Sequence, residues 1–102
     1  MIVVRFVFQA RWGQAGKIVE DYKEGVEMMK RIAGPKAKFR VYTDLSGPFD
    51  TVVQEMELES LAEWERVRTA LFSDPEFMEM QSDRENPYMS GRTEFYTLEA
   101  AF

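Results

Sequence analysis

The side chains of this sequence that could do chemistry are arginines, glutamates and tyrosines, which recur at every second position of short segments. A guanidinium stabilises an anionic intermediate, a carboxylate takes up a proton, and a phenol orients a substrate through its hydroxyl. The candidate ligand-binding residues chosen on this basis are Arg5, Arg40, Tyr42, Glu55 and Tyr96. The sequence assigns no catalytic residue.

Several mechanisms are excluded because histidine and cysteine are both absent from the sequence. There is no imidazole for a catalytic triad or a zinc site, and no thiolate nucleophile or disulfide. The glycine spacings of phosphate-binding loops and the acidic spacing of a calcium loop are also missing. We therefore expect no metal and no cofactor, and any general acid or base must be Asp, Glu, Lys or Tyr.

Two periodicities alternate along the chain and predict the element order βαββαβ. Apolar residues at every second position predict strands, and apolar residues three or four apart predict amphipathic helices. The strands are expected at residues 1–12, 38–45, 51–59 and 92–98, and the helices at residues 14–33 and 61–81. Residues 82–91 between the last helix and the last strand are polar and are expected to form an irregular loop.

Local signals fix several helix ends. Ser60 and Glu63 have the spacing of a capping box, in which each side chain bonds the backbone amide of the other residue. Asp74 and Pro75 indicate a break and restart within the second helix, with Asp74 as the cap. Gly25, in the middle of the first helix, is interpreted as a point of close approach to a neighbouring element.

These elements predict a single α+β domain over residues 1–102 with a ferredoxin-like fold: a four-stranded antiparallel sheet with two helices on one face. In the usual order, strand four lies beside strand one, strand one beside strand three, and strand three beside strand two. The helix-free side of the sheet, which we call the bare face, is then expected to carry Arg5, Gln9, Arg11, Arg40, Tyr42, Asp44, Glu55, Glu57, Glu94 and Tyr96. Opposite charges face each other across neighbouring strands.

Two interpretations of the bare face remain open. In the first, its charges form an ionic network inside a homodimer, because face-to-face association of two sheets would account for this composition. In the second, some of these residues line a cleft at the barrel mouth that binds a small polar or aromatic molecule. Tyr22 and Trp64 lie on core-facing stripes and are interpreted as packing residues. Met78, Met80, Tyr88 and Met89 could cover an apolar pocket or serve as gap-filling core residues.

Other partners and locations are disfavoured. The net charge is −5, and no cluster of Lys and Arg is present to neutralise phosphates. RNA-recognition modules share this topology, but the third strand presents glutamates where such modules carry aromatic and basic residues. No apolar run is long enough for a membrane span, and the opening residues lack the pattern of a signal peptide. We expect a cytoplasmic protein that binds neither nucleic acid nor membrane.

The sequence resembles the dimeric α/β-barrel superfamily, and within it most the small bacterial NIPSNAP-type domains. The resemblance covers nearly the whole chain and rests on RWG at residues 11–13, EMELESLAEWE at 55–65, SDPEF at 73–77 and GRTEFYTL at 91–98. It implies a ferredoxin-like protomer whose sheet packs on that of a second subunit, forming a dimeric α/β barrel. It does not imply one activity.

Two functions remain open. One, indicated by the charged sheet face and the missing catalytic residues, is a homodimeric NIPSNAP-like domain without demonstrated catalysis that binds at most a small molecule. The other is a cofactor-independent monooxygenase or cyclase for a small aromatic or polyketide-like substrate, because the superfamily includes quinol monooxygenases. Tyr42 and Tyr96 would then orient the substrate, Arg5 or Arg40 would stabilise an anionic intermediate, and Glu55 would take a proton. Haem-degrading relatives use a histidine ligand, which this chain lacks.

Overall fold

The structure, a computed structural model, describes residues 1–82 and 86–102. Its elements are β1 (Ile2–Ala10), α1 (Ala15–Ala33), β2 (Lys38–Thr43), β3 (Thr51–Leu58), α2 (Leu61–Phe72), α3 (Pro75–Ser82) and β4 (Tyr88–Thr97). The predicted order of strands and helices is confirmed, and the second predicted helix is divided into α2 and α3 at the predicted break.

The described strands form one antiparallel sheet in the order β2-β3-β1-β4, which confirms the predicted ferredoxin-like topology. The register sets Arg5 of β1 opposite Glu55 of β3 on one side and Glu94 of β4 on the other. Arg40 of β2 also lies opposite Glu55. Since Val4 next to Arg5 is fully buried against the helices, alternation places these charges on the bare face, as predicted.

The core lies between the sheet and the helices. Its fully buried side chains come from β1, α1, β3 and α2 and are Val4, Ile18, Val52 and Val67. Phe6 and Phe8 point to the same side of β1 as Val4 but are only partly buried. Because alternation would otherwise bury them, their exposure shows that the helices do not close over this part of the sheet.

The start of α1 is capped from a distant part of the chain. Gln14 at its N-terminus makes no side-chain cap. The carboxylate of Asp50, in the turn between β2 and β3, instead accepts hydrogen bonds from the amides of Gly13 at 2.8 Å and Ala15 at 3.2 Å. Asp50 has a left-handed backbone with φ of 58°, which aspartate tolerates better than most residues. This contact ties the β2–β3 turn to the first helix.

One half of the predicted capping box forms at α2. The Ser60 hydroxyl accepts a hydrogen bond from the Glu63 amide at 3.2 Å. The Glu63 carboxylate accepts instead from the Arg66 guanidinium at 2.8 Å, because a charge-assisted hydrogen bond is stronger than one from a neutral amide. Arg66 in turn donates to the carbonyls of Ile32 and Ala33 at the end of α1, at 3.2 and 3.0 Å. The prediction for the Glu63 side chain was therefore wrong, and the residue instead helps to join α2 to α1.

The break between α2 and α3 forms as predicted. Asp74 caps α3 by accepting a hydrogen bond from the Phe77 amide at 3.1 Å, and Pro75 is the first helical residue. The predicted loop over residues 82–91 is wrong for residues 88–91, which belong to β4, and residues 83–85 lie outside the described residues.

The early start of β4 has a local cause. Gly91, which is typical of a turn, pairs with Phe8 of β1. A Cβ on Gly91 would lie 2.8 Å from the Phe8 ring, so the ring occupies the space that the glycine leaves. Pairing with the central strand therefore extends β4 through residues with low strand propensity.

Candidate functional site

Four of the five predicted ligand-binding residues form one network on the bare face. The Arg5 Nε lies 3.1 Å from a Glu55 carboxylate oxygen, as an ion pair without hydrogen-bond alignment. The Tyr42 hydroxyl donates to Glu55 at 3.0 Å. Partial burial, followed by the hydrogen bond to Glu55, raises the pKa of Tyr42, so this phenol stays protonated. The Arg5 Cζ also lies 5.8 Å from the centre of the Tyr96 ring, within cation–π distance.

Glu94 extends this network on β4. It accepts hydrogen bonds from Arg92 at 2.8 Å and from the Tyr96 hydroxyl at 3.0 Å. It also lies 3.6 Å from Nη1 of Arg5. The hydrogen bond from Arg92, and then that from Tyr96, lowers the pKa of Glu94, so this carboxylate stays ionised at neutral pH.

Arg40, the fifth predicted residue, lies beside a different carboxylate. Its Nη1 is 3.7 Å from Glu57, which also lies 3.8 Å from the Lys38 ammonium. Glu57 is buried beneath these two cations. The three bare-face glutamates at positions 55, 57 and 94 are thus each paired with at least one cation within the chain.

A cavity of about 510 Å³ lies on the opposite side of the sheet, bounded by the helices. Its lining residues are Phe6, Phe8, Asp21, Tyr22, Gly25, Met28, Met29, Gln54, Glu55, Met56, Trp64, Arg68, Leu71, Phe72, Phe77, Met80, Gln81, Tyr88 and Thr93. This volume is within the range of small-molecule sites. Of the five predicted residues, only Glu55 borders it, from the β3 floor.

Helical and strand periodicity place the cavity walls. Residues 22, 25 and 29 repeat on one side of α1, and residues 64, 68, 71 and 72 on one side of α2. The wall is aromatic where α2 meets the sheet: the Trp64 ring lies 5.7 Å from Phe6 and 5.9 Å from Phe95. Phe8 and Tyr88 form a second pair at 4.7 Å. Flat aromatic surfaces of this kind favour flat apolar ligands.

A few polar groups interrupt the apolar lining. Burial raises the pKa of Tyr22 to about 12, so its hydroxyl is a hydrogen-bond donor at all physiological pH values. Asp21 is buried beside it and lies 3.5 Å from the Lys17 ammonium. Gln54 on the sheet and Arg68 on α2 complete the group. This arrangement can hold an apolar molecule and orient its polar atoms.

Sequence reasoning missed this cavity because its residues fall on the same stripes as the core. Tyr22 and Trp64 were interpreted as packing residues, but both also line the cavity. In the methionine-rich tract, Met80 and Tyr88 line it, which supports the pocket interpretation for these two. The one available signal was the number of methionines and aromatics on the helices, several of which line the cavity.

Within residues 1–82 and 86–102, no group of three or more acidic residues is placed to hold a metal ion. Among the helices of those residues, none has the length and apolar character required to cross a bilayer.

No protein-family model matches the sequence, and no curated protein matches it. Solved structures do match. An uncharacterised NIPSNAP-like domain protein from Burkholderia xenovorans is similar with a TM-score of 0.84 and 19% identity, over 98% of this chain and 87% of that one.

Two further solved structures match with lower TM-scores and identities, and each has a name that gives an activity or a ligand. A protein from Deinococcus radiodurans named as a candidate antibiotic biosynthesis monooxygenase is similar with a TM-score of 0.69 and 13% identity, over 100% of this chain and 96% of that one. A mutant of MhuD, which has two manganese protoporphyrin IX molecules bound per active site, is similar with a TM-score of 0.78 and 10% identity, over 100% and 98%.

The sheet order, the helices on one face and the cavity between them define a ferredoxin-like α+β protein with a ligand-sized site. Its fold is that of the NIPSNAP-type proteins, and it is shared more distantly with the monooxygenase-like proteins. These identities are low enough that the likeness establishes the fold and leaves the activity open.

Proposed function

We propose that this protein is a homodimer that binds a small, mainly apolar aromatic molecule in the cavity of each chain. The observation that carries the proposal is the cavity of about 510 Å³ between the sheet and the helices. The cavity opens to solvent, and its lining is mainly aromatic and methionine side chains, so part of the apolar surface of this chain faces water there. An apolar ligand would remove that surface from water and would be stabilised by its burial.

The bare face supports self-association. Its three glutamates, Arg5 and Arg40 are already paired within the chain, so a second copy can cover the centre of the face without leaving these charges unpaired. Between these charges lies an apolar strip in which Val7 is 9% exposed and lies opposite Val53. Tyr42 and Tyr96 remain about half exposed on either side. Tyrosines and arginines around an apolar centre are typical of protein interfaces.

That Arg5, Arg40, Tyr42, Glu55 and Tyr96 contact a ligand stays a prediction of the sequence. In the proposal these residues serve the contact between subunits, and the ligand lies across the sheet from them. The two roles are separable because they occupy opposite faces.

Thermal unfolding with a panel of quinol-type and polycyclic aromatic compounds tests the binding. At least one compound should raise the melting temperature, because a ligand that binds only the folded state stabilises it. Thr93→Trp should abolish the shift, since an indole at this exposed cavity-lining position would fill the mouth. Thr97→Trp, on the same side of the same strand but away from the cavity, is the matched control. A panel without any stabilising compound would refute the proposal.

A second candidate function is oxygenation or cyclisation of a phenolic substrate in the same cavity, without a cofactor. Two observations favour it: the likeness to the Deinococcus protein and the presence of both a carboxylate residue, Asp21, and a phenol residue, Tyr22, on the cavity lining. Compounds that stabilise the protein should then be converted to product, with uptake of dissolved oxygen if the reaction is an oxygenation and without it if the reaction is a cyclisation. Quantitative recovery of an unchanged ligand after prolonged aerobic incubation would leave the protein as a binder.

A further inference from the structure

The charges that border the cavity are not balanced. Two acidic residues border it: Asp21 on the helical side, and Glu55, whose carboxylate lies on the bare face. Each has a cation of its own. Asp21 lies 3.5 Å from the Lys17 ammonium, and Glu55 lies 3.1 Å from Arg5. Within residues 1–82 and 86–102, Arg68 is the one cation on the lining, and it has neither an ion pair nor a hydrogen bond there. The cavity therefore carries one positive charge without a countercharge in the described chain.

In having no partner among the described residues, Arg68 differs from the other arginines that the structure describes. Arg66, two residues earlier on α2, is held by Glu63 and by the end of α1. Arg31 lies between Asp74 and Glu76. Arg68 follows Trp64 by one helical turn, so its guanidinium is carried on the same side of α2 as the aromatic wall. A guanidinium in this position offers a planar, permanently charged donor set at the border of an apolar space.

Two neutral groups on other walls also have unused hydrogen-bonding capacity. The Tyr22 hydroxyl of α1 and the Gln54 amide of β3 line the cavity, and neither side chain has a hydrogen bond to another described residue. A phenol and a primary amide can both donate to a negatively charged oxygen. Three elements thus contribute donors to one space whose remaining lining is mostly aromatic and aliphatic.

From this arrangement we propose that the cavity selects an amphipathic anion, a molecule with a flat apolar body and one acidic oxygen group that pairs with Arg68. Tyr22 and Gln54 donate hydrogen bonds to oxygen atoms of the same molecule. This inference rests on the proposed function, since it specifies the class of ligand for the same cavity.

The net charge of the protein opposes the binding of an anion at long range. At −5 the protein repels anions at long range, so its mean field alone would favour a neutral or cationic ligand. A preference for the anion can arise only from local contacts. Added salt screens the long-range repulsion more than a short ion pair within the cavity, and the preference should therefore persist in buffer of moderate ionic strength.

Isothermal titration calorimetry at neutral pH, with 2-naphthoate and its neutral isostere 2-naphthamide, tests the inference. The carboxylate is ionised under these conditions, and the two ligands share the same ring system. We expect 2-naphthoate to bind on the order of tenfold more tightly, the usual gain from one charge-assisted hydrogen-bonded pair. Equal affinities, or tighter binding of the amide, would overturn the inference and leave the proposed function standing. Binding of neither compound would count against both.

Substitutions at Arg68 test whether this residue causes the preference for 2-naphthoate over 2-naphthamide. Arg68→Gln should weaken 2-naphthoate binding by about tenfold and leave 2-naphthamide within about twofold, which removes the preference. Arg68→Lys should keep part of it, because the charge stays while the planar donor set is lost. Lys36→Gln makes the same change in net charge at a side chain that is 81% exposed and outside the cavity, and it should change neither affinity. An unchanged ligand ratio in Arg68→Gln would refute the role of Arg68.

Discussion

Gly25 of α1 lies directly against Met80 of α3: a Cβ added at Gly25 would come within 3.0 Å of the Met80 methyl carbon. This confirms the prediction from sequence that the mid-helix glycine marks a close approach between elements. Both residues line the cavity, so the contact sets the distance between two of its walls. Met80 is a flexible side chain, and its displaced end would move within a space that a ligand is proposed to occupy.

Gly25→Ala should therefore have opposite effects on stability and on binding. Alanine favours the helix by about 1 kcal/mol, and we expect about half of this gain to remain after Met80 has shifted. Aromatic ligands should bind less tightly because the Met80 methyl group moves into their site. Urea unfolding and ligand titration measure the two effects. Gly16→Ala, in the same helix with open space around it, is the control and should leave binding unchanged.

The hydrogen bonds from Gly13 and Ala15 to Asp50 should be important for stability. Asp50→Ala removes the only side-chain acceptor that the described chain offers to the start of α1, and it places alanine at a positive φ. We expect a loss of about 1–3 kcal/mol in unfolding free energy, combining the cap and the backbone strain. Asp50→Asn keeps an acceptor and tolerates the same φ, so it should lose clearly less. Equal losses in denaturant melts would contradict the capping role.

The fold was predictable because each strand and helix carries its own pattern. The strand assignment of β1 and the break at Asp74 and Pro75 depend on near neighbours in sequence, and the structure confirms both. The start of β4 was not predictable in this way. Gly91 lies in a strand only because Phe8, far away in sequence, pairs with it and covers it.

The cavity was not predictable for a related reason. Tyr22 and Trp64 have the spacing of core residues, and periodicity gives the side of a helix without giving the distance to the opposite wall. That distance depends on how α3 turns away from α2 and on which side chains meet, as with Gly25 and Met80. Similarly, Asp50 as a cap for α1 is a tertiary contact across 35 residues, without a local sequence signal.

The raised pKa of Tyr22 predicts a loss of stability at alkaline pH. The phenol has a pKa of about 12 in the folded protein and near 10 when unfolded. The contribution of the protonated phenol to the free energy of unfolding is complete below about pH 10. It is lost as the pH rises toward 12, because the unfolded state releases the proton first. In this window Tyr22 alone adds a slope of up to about 1.4 kcal/mol per pH unit. Tyr22→Phe should reduce the decrease of unfolding free energy with pH in this window. Tyr96→Phe, which removes an exposed phenol, should leave that decrease unchanged.

The link between α1 and α2 should weaken in acid. The hydrogen bond from Arg66 lowers the pKa of Glu63, so this carboxylate contributes stability above its unfolded value near 4.5 and loses it as the pH falls through the lower folded value. Arg66→Met should lower the melting temperature at neutral pH, and its difference from the wild type should shrink below about pH 4.5. Arg68→Met, an exposed neighbour without such bonds, should behave as the wild type. A difference that is constant with pH would assign the whole effect to the carbonyls of Ile32 and Ala33.

The proposed dimer can be tested by replacing Arg5 and, as a control, Arg31, because each of these arginines lies between two carboxylates. It lies between Glu55 and Glu94 on the bare face, and Arg31 lies between Asp74 and Glu76 on the helical side. In water, losing such a pair costs about 0.2–1 kcal/mol. Without Arg5, Glu94 keeps Arg92, but Glu55 keeps only the Tyr42 hydroxyl, and a carboxylate without a cation in a covered interface costs several kcal/mol.

Arg5→Leu should therefore raise the dimer dissociation constant by at least tenfold, and Arg31→Leu should leave it unchanged. Sedimentation equilibrium over a range of concentrations measures both. A wild-type protein that is monomeric at micromolar concentration would exclude the dimer. Equal dissociation constants for the wild type and Arg5→Leu would instead show that any dimer forms through another surface, because a covered bare face cannot lose the cation between Glu55 and Glu94 without penalty.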